Sequence, residues 1–228
     1  MNLAIIPARA GSKRLPKKNI KLFFKKPILS YSINAAKKTN LFDKIIVSTD
    51  SVKLKKIAED LGAEVPFLRP KKYSDDFSNF NESIIHAIKW FNNKKIIFNN
   101  TCCIYPTSPL INYKKIIKGF KLLKKTKSYV FSGCTYRSPP QRSFFFKSKK
   151  LNLLYSSNYN KRSQDLKKIF HDAGQFYWAK SKTWLNEKKI FNKNSNIVEI
   201  DYLDFIDINS IEDFNIAKKL FKLKKDYK

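Results

Sequence analysis

The sequence predicts an α/β fold: one mostly parallel sheet with helices packed on both faces. Three observations predict it. Apolar runs of strand length alternate with longer segments of helical period. The strand runs are near-continuous instead of alternating, which is how strands covered on both faces read. Finally, 228 residues with 43% hydrophobic and 14% aromatic content suffice for one domain-sized core. We therefore take 1–228 as a single domain with one excursion.

The elements follow in order. "LAIIPA" (3–8) is a strand, and "PILSYSINAAKKT" (27–39) a helix with Pro27 near its first turn. "KIIVST" (44–49) is the next strand, and "VKLKKIAEDLG" (52–62) a helix stopped by Gly62 as its C′ residue. "AEVPFL" (63–68) reads as a short strand, "NESIIHAIKWF" (81–91) as a helix and "TCCIYP" (101–106) as a strand. "NYKKIIKGFKLLKK" (112–125) and "SYVFSGC" (128–134) complete a β-α-β-α-β-α-β-α-β order. From about 135 to 170 the rhythm fails, with "YRSPPQRSFFF" turning on a proline pair and "LNLLYSSNYNKRSQDLKKIF" showing no clear period. Its aromatics predict burial against something, so 135–170 is expected to be an inserted subregion that packs on another subunit. The regular pattern resumes at "QFYWA" (175–179) and "NIVEID" (196–201). It closes with the helix "SIEDFNIAKKLFKL" (210–223), where Ser210 as N-cap and Asp213 three residues on approximate a capping box.

The chemistry concentrates after the first strand. In "LAIIPARAGSKRLPKKNI" (3–20) an apolar run breaks into five Lys or Arg residues interleaved with Gly11, Ser12 and prolines. In open α/β sheets ligands bind beyond the carboxyl ends of the strands, so this loop lies where a ligand would sit. Gly11 permits close backbone approach, Ser12 supplies a hydroxyl, and Arg9, Lys13, Arg14 and Lys18 supply charge; the ligand expected is a phosphate. Two common designs are excluded. A P-loop ending on Gly11 would need glycine where Ile6 stands, and Gly11 is the sole glycine in the first 60 residues, so no G-x-G-x-x-G exists there.

The net charge of +29 would ordinarily indicate nucleic acid. Its distribution argues otherwise, because lysines are spread over every segment and accompany many Asn, Ile and Phe, the signature of an AT-rich genome. Only six of the 47 basic residues are Arg (Arg9, Arg14, Arg69, Arg137, Arg142, Arg162), and these mark positions needing a rigid bidentate fork. Cys102, Cys103 and Cys134 have no metal-type spacing and read as buried small hydrophobes. No apolar run is long enough for a membrane helix, and residues 1–8 do not resemble a signal peptide, so a cytoplasmic location is expected.

"IIPARAGSKRLPKKNI" resembles the N-terminal motif of the cytidylyltransferases that activate nonulosonic (sialic-type) acids as CMP-sugars. "FDKIIVSTD" (42–50), "GAEVPFLRP" (62–70), "YPTSPL" (105–110) and "IEDF" (211–214) follow in the order expected of that family. "RSQDL" (162–166) with "FHDAGQFYW" (170–178) looks most like its members acting on pseudaminic acid; those acting on N-acetylneuraminate tend to show Asn-Gly where this chain has Ala173-Gly174. The resemblance implies a Rossmann-like nucleotidyltransferase sheet, CTP and a nine-carbon acidic sugar as substrates, Mg²⁺ as cofactor, and a homodimer. It implies that Arg9, Ala10, Gly11, Ser12, Lys13, Arg14, Lys18, Asn19, Arg69 and Ser78 bind the nucleotide, with Arg9, Lys18 and Asp207 bearing most directly on catalysis. Thr107, Ser108, Arg162, Gln164, Asp165, His171 and Gln175 would contact the sugar. For Thr107 and Ser108 the alternative is a cap on the next helix; for Arg69 it is a surface ion pair, and for His171 a satisfied structural histidine. His86, on an apolar helical face, is expected in the core.

At the metal the chain departs from the family. Relatives carry Asp-x-Asp before the last helix, where this chain reads "IDIN", with Asp207 and Asn209. Strand alternation would put both on one face, aimed at one ion. An amide oxygen still ligates Mg²⁺, but one negative charge is lost, so weaker binding is expected. The implied reaction is attack by the sugar's anomeric hydroxyl on the α-phosphorus of CTP, which needs positioning and charge neutralisation and no nucleophilic side chain. N-acetylneuraminic, legionaminic or 3-deoxy-octulosonic acid are alternative sugars. An inactive nucleotide-binding homologue or a basic nucleic-acid-binding protein are alternatives of another class.

Overall fold

The structure is a computed structural model and describes residues 1–12, 14–73, 80–186 and 189–226. In chain order, β1 is Asn2–Pro7, and a two-stranded ribbon β2 (Leu22–Phe23) and β3 (Lys26–Pro27) precedes α1 (Leu29–Lys38). Then come β4 (Lys44–Ser48), α2 (Val52–Asp60), α3 (Phe80–Asn93), β5 (Asn100–Ile104) and α4 (Tyr113–Leu123). The second half holds β6 (Val130–Thr135), a hairpin of β7 (Phe144–Lys147) and β8 (Lys150–Leu153), β9 (Phe170–Lys180), α5 (Ser181–Asn186), β10 (Asn196–Ile200) and α6 (Ile211–Asp226).

Among the described residues the main sheet has six strands in the order β10-β6-β9-β5-β1-β4. β1 pairs parallel with β4 and β5, and β10 parallel with β6, whereas β9 runs antiparallel between β5 and β6. The unbroken apolarity of β1 is explained by its two faces. Ala4 and Ile6 enter one core with Leu29 and Ile33 of α1, Ala58 of α2 and Ile116 of α4. Leu3 and Ile5 enter a second core with Ile84, Ile88 and Phe91 of α3 and Trp184 of α5. A third core joins Leu15, Phe23 and Ile28 to Phe214 and Ala217 of α6, clamping the loop after β1 under the last helix.

Local signals in the sequence hold at several ends. Gly62 follows α2 with φ +76°, the left-handed conformation a C′ glycine supplies. At α6, Ser210 Oγ accepts from Asp213 N at 3.2 Å while Asp213 Oδ2 accepts from Ser210 N at 2.8 Å, a reciprocal capping box. All three cysteines are free and buried, and burial pushes each thiol up in pKa.

Three expectations need correction, and a fourth finding bears on the inserted subregion. Pro27 ends β3, and α1 starts two residues later. Residues 63–68 form only isolated parallel bridges, Ile46 with Glu64 and Thr49 with Leu68, because Pro66 between them has no N–H to give a ladder. The strand expected at 175–179 begins at Phe170, since the polar stretch before it pairs with β6 in spite of carrying no apolar pattern. Within one chain the 135–170 aromatics are not buried: Phe144, Phe146 and Tyr159 are 59%, 69% and 69% exposed. On the β7–β8 ribbon Phe144, Phe146, Leu151 and Leu153 are all exposed among the described residues.

Candidate active site

The loop after β1 is held open by specific bonds. Ala8 N donates to Ser48 O at 2.9 Å, Ala10 N to Asp50 Oδ1 at 2.9 Å, and Asn19 Nδ2 to Arg9 O at 2.8 Å, which folds the loop back on itself. Leu15 is buried in the third core and anchors the far side. Gly11 is exposed, and a Cβ built there would meet nothing within 4 Å, so the space before its backbone is open to a ligand. Ser12 is half-buried and Arg14 exposed; Lys13 and Ser78 lie outside the described residues.

The loop's cations converge. Lys18 Nζ donates to Ile208 O, in the segment before α6. Burial lowers its pKa, the attraction of Asp207 opposes this, Arg14 lowers it further, and weaker effects follow from Asp213 (raising) and Arg9 (lowering). Arg69 is buried, with its N–H on Thr49 O at 2.7 Å; burial lowers its pKa, Asp50 opposes and Arg9 adds to the lowering. Arg9 thus lies within electrostatic reach of both Lys18 and Arg69, and Arg14 within reach of Lys18, near the carboxyl ends of β1 and β4. Like charges are brought together at a cost that an anion between them would offset. The surface-ion-pair alternative for Arg69 does not fit its burial.

Asp207 and Asn209 are brought together, with Asn209 Nδ2 donating to Asp207 Oδ2 at 2.6 Å. Residues 205–209 carry no regular secondary structure, so it is the turn into α6 and not a strand's alternation that pairs them. Asn209 N and Ser210 N both donate to Asp213 Oδ2, at 2.9 and 2.8 Å, and hold Asp213's carboxyl below its usual pKa. Among the described residues no group of three or more His, Cys, Asp or Glu could hold a metal ion. What remains is a carboxylate beside an amide, two hard oxygen donors that fit an Mg²⁺ ion completing its shell with water and substrate phosphates.

The end of β5 forms the other wall. Ser108 is buried and Thr107 half-buried, and neither caps α4, whose N-cap is Asn112 accepting from Lys114 N at 3.0 Å. Tyr105 O accepts from Ser32 Oγ at 2.6 Å, and the Tyr105 ring packs on Tyr177 and Phe80 at 5.4 and 5.5 Å. Tyr177 Oη donates to Asp172 Oδ2 at 2.5 Å. Asp172, Tyr105 and Tyr177 were not singled out from the sequence, although all three stand inside stretches that carry the family resemblance.

The residues expected at the sugar separate into two places. Arg162 pairs with Asp165 at 2.9 Å in an exposed turn that also carries Gln164, all three on the inserted subregion. His171 is half-buried, with Nδ1 at 2.9 Å from Asp172 O and its ring against Tyr136 and Phe205. Gln175 is buried inside the fold, where its Nε2 donates to Asp204 O at 2.6 Å and supports the turn after β10. His86 is half-buried between Phe67 and Tyr73, and burial followed by Arg69 and Lys72 lowers its pKa.

A mostly parallel sheet with a converging set of cations and a hard-oxygen pair at its carboxyl edge defines an α/β domain built for a phosphorylated ligand. Residues 3–226 match the family described as Cytidylyltransferase, and the chain belongs to that family of enzymes. It is 38% identical to a pseudaminic acid cytidylyltransferase of Campylobacter jejuni, over 97% of each chain. It is also 29% identical to the CMP-N,N'-diacetyllegionaminic acid synthase of Legionella pneumophila, over 98% of this chain and 97% of that protein. A solved CMP:2-keto-3-deoxy-manno-octonic acid synthetase complexed with CTP superposes with a TM-score of 0.72 at 13% identity, covering 98% of this chain and 99% of the other, which shows the fold. No helix of the described residues is long and apolar enough to cross a membrane.

Proposed function

We propose that this enzyme joins CTP to pseudaminic acid, giving the CMP-sugar and pyrophosphate. The observation that carries the choice of sugar is the 38% identity along 97% of both chains to a pseudaminic acid cytidylyltransferase. In the reaction the anomeric oxygen forms a bond to the α-phosphorus, the bond to pyrophosphate breaks, and the hydroxyl proton leaves to solvent. Arg9, Ser12, Lys13, Arg14, Lys18 and Asn19, with the backbone of Ala10 and Gly11, bind the triphosphate and ribose. Arg69 and Ser78 help to hold the nucleotide, and Thr107 and Ser108 border the sugar. Asp207 and Asn209 would hold Mg²⁺, which supplies neutralisation of the triphosphate charge when bound.

The inserted subregion is assigned to a homodimer. Phe144 pairs with Leu153 and Phe146 with Leu151, two residues apart, so four large apolar side chains share one face. An isolated two-stranded ribbon is marginal in water, and a second copy would cover it and bring Arg162, Gln164 and Asp165 towards a neighbouring sugar pocket. The doubly substituted Phe144→Ser, Phe146→Ser protein is expected to sediment as a monomer where the parent sediments as a dimer. A monomeric parent, or a variant that stays dimeric, removes the ribbon from the interface.

The reaction is tested by pyrophosphate release from CTP and Mg²⁺ with pseudaminic acid, N-acetylneuraminic acid, a legionaminic acid or no sugar. Release with pseudaminic acid well above the others is expected. Preference for another sugar moves the assignment to that sugar. Silence with all of them, from a folded protein that binds CTP, supports the inactive homologue, with Asn209 as the first residue to restore.

A further inference from the structure

β9 contains an irregularity that neither its apolar pattern nor its role in the sheet requires. Phe131 of β6 faces Tyr177, and Gly133, two residues on, faces Asp172, so five steps along β9 answer two along β6. On its other side β9 stays in register with β5 to Phe176, and Tyr105 N still donates to Gln175 O at 2.9 Å. Ser132 fills the gap: its Oγ accepts from Gln175 N at 3.0 Å and Phe176 N at 3.3 Å. Gly174 supplies the bend with φ +55°, a conformation that suits glycine. Bulges of this kind re-aim a side chain and recur beside active sites.

The side chain re-aimed here is Asp172. In a regular strand, residues five apart point to opposite faces. The bulge instead turns Asp172 onto the face of Tyr177, whose hydroxyl reaches Oδ2 at 2.5 Å while Gly174 N reaches Oδ1 at 2.9 Å. The carboxylate is therefore fixed by one bond to each oxygen and remains exposed, with lone pairs to spare. Burial, Tyr105 and Asp172 together raise the Tyr177 phenol far above its ordinary pKa, so it remains a neutral donor. Asp172 sits at the carboxyl edge of the sheet, and the Tyr105 phenol lies within electrostatic reach of both Asp172 and Asp207. The floor beside it is aromatic, with Phe80 5.5 Å from Tyr105 and 5.2 Å from Tyr177.

We propose that Asp172 is a specificity residue for the sugar, accepting a hydrogen bond from an acylamino N–H, and that Tyr177 is the positioning residue that aims it. This rests on the reading of the chain as a CMP-sugar synthetase. A carboxylate repels the acidic group of a nonulosonic acid and bonds its neutral donors. An acylamino substituent presents an N–H next to an acyl methyl, which matches a fixed acceptor beside an apolar aromatic floor, whereas a bare hydroxyl leaves that floor unused.

The test is Asp172→Asn, which keeps the side-chain oxygen that holds Gly174 N and so keeps the bulge. Pyrophosphate release is measured with the acylamino sugar that the parent turns over best, varying sugar and CTP in turn. The expected result is a KM for the sugar raised about 10- to 100-fold, the loss of one charge-assisted hydrogen bond, with the KM for CTP and the melting temperature unchanged. Tyr177→Phe should move the sugar KM the same way by about 3- to 10-fold, and it carries the test if Asp172→Asn does not fold. An unchanged sugar KM in a folded variant overturns the subsite, and so does a rise in both KM values with a lower melting temperature, which would mark a structural role. A parent protein inert with every sugar overturns the synthetase reading and the subsite with it, whereas an active parent with an indifferent Asp172→Asn variant overturns the subsite alone.

Discussion

Arg9→Ala is expected to leave a folded protein whose turnover falls by about 10²- to 10³-fold, the usual cost of removing one preorganised donor from a site of developing negative charge. Arg9 lies just past the end of β1, and Asn19 Nδ2 fixes its carbonyl at 2.8 Å. Its charge is felt at both Lys18 and Arg69, and at each it lowers the pKa. In the free protein the guanidinium therefore adds repulsion that a triphosphate between these groups converts to attraction. Removing it should leave the protein folded while activity collapses, whereas a core substitution lowers stability first. Pyrophosphate release and thermal melting of the same preparation check both halves. A folded Arg9→Ala protein with retained turnover would take Arg9 out of the site.

The second large effect is expected at the carboxylate-amide pair, and it runs in two directions. Asp207→Asn removes the one charged donor of the pair. It should lower turnover by about 10²-fold or more and raise the Mg²⁺ needed for half-maximal rate beyond the practical range. Asn209→Asp restores a second carboxylate and should lower that Mg²⁺ requirement about tenfold, because an added charge within contact distance of a cation is worth more than a kcal/mol even near the surface. Without metal the restored carboxylate faces Asp207 in place of the 2.6 Å hydrogen bond from Asn209 Nδ2. The Asn209→Asp protein should therefore melt lower than the parent in chelator and gain more on adding Mg²⁺. If Asn209→Asp changes neither the Mg²⁺ dependence of the rate nor the melting shift, position 209 does not touch the ion.

Much of the fold was legible because it is written in local patterns. Residues 3–6 are apolar without interruption, and both faces of β1 are covered; Ser210 and Asp213 cap each other as their spacing suggested; Gly62 stops α2 in the left-handed region. The cationic loop after the first strand was also legible, and in the fold its Arg9 acts electrostatically on both Lys18 and Arg69. Chain direction was not legible: β9 reads as one more apolar run, and nothing local says that it enters the sheet antiparallel between β5 and β6. Nor was the fate of Gln175, an ordinary polar residue until the turn after β10 is folded beneath it.

By itself the sequence determined the α/β alternation, the basic loop at the first strand's end and the family, because periodicity, capping and motif spacing are properties of neighbours along the chain. Only the tertiary structure decided that the aromatics of 144–155 stand uncovered within one chain, that a bulge turns Asp172 onto Tyr177, and that Asn209 leans on Asp207. The physical reason is that these outcomes depend on distant segments meeting. Ser132 fills the bulge from another strand, Lys18 reaches Ile208 across 190 residues, and the identity of a meeting partner is not encoded in the pattern of either segment alone.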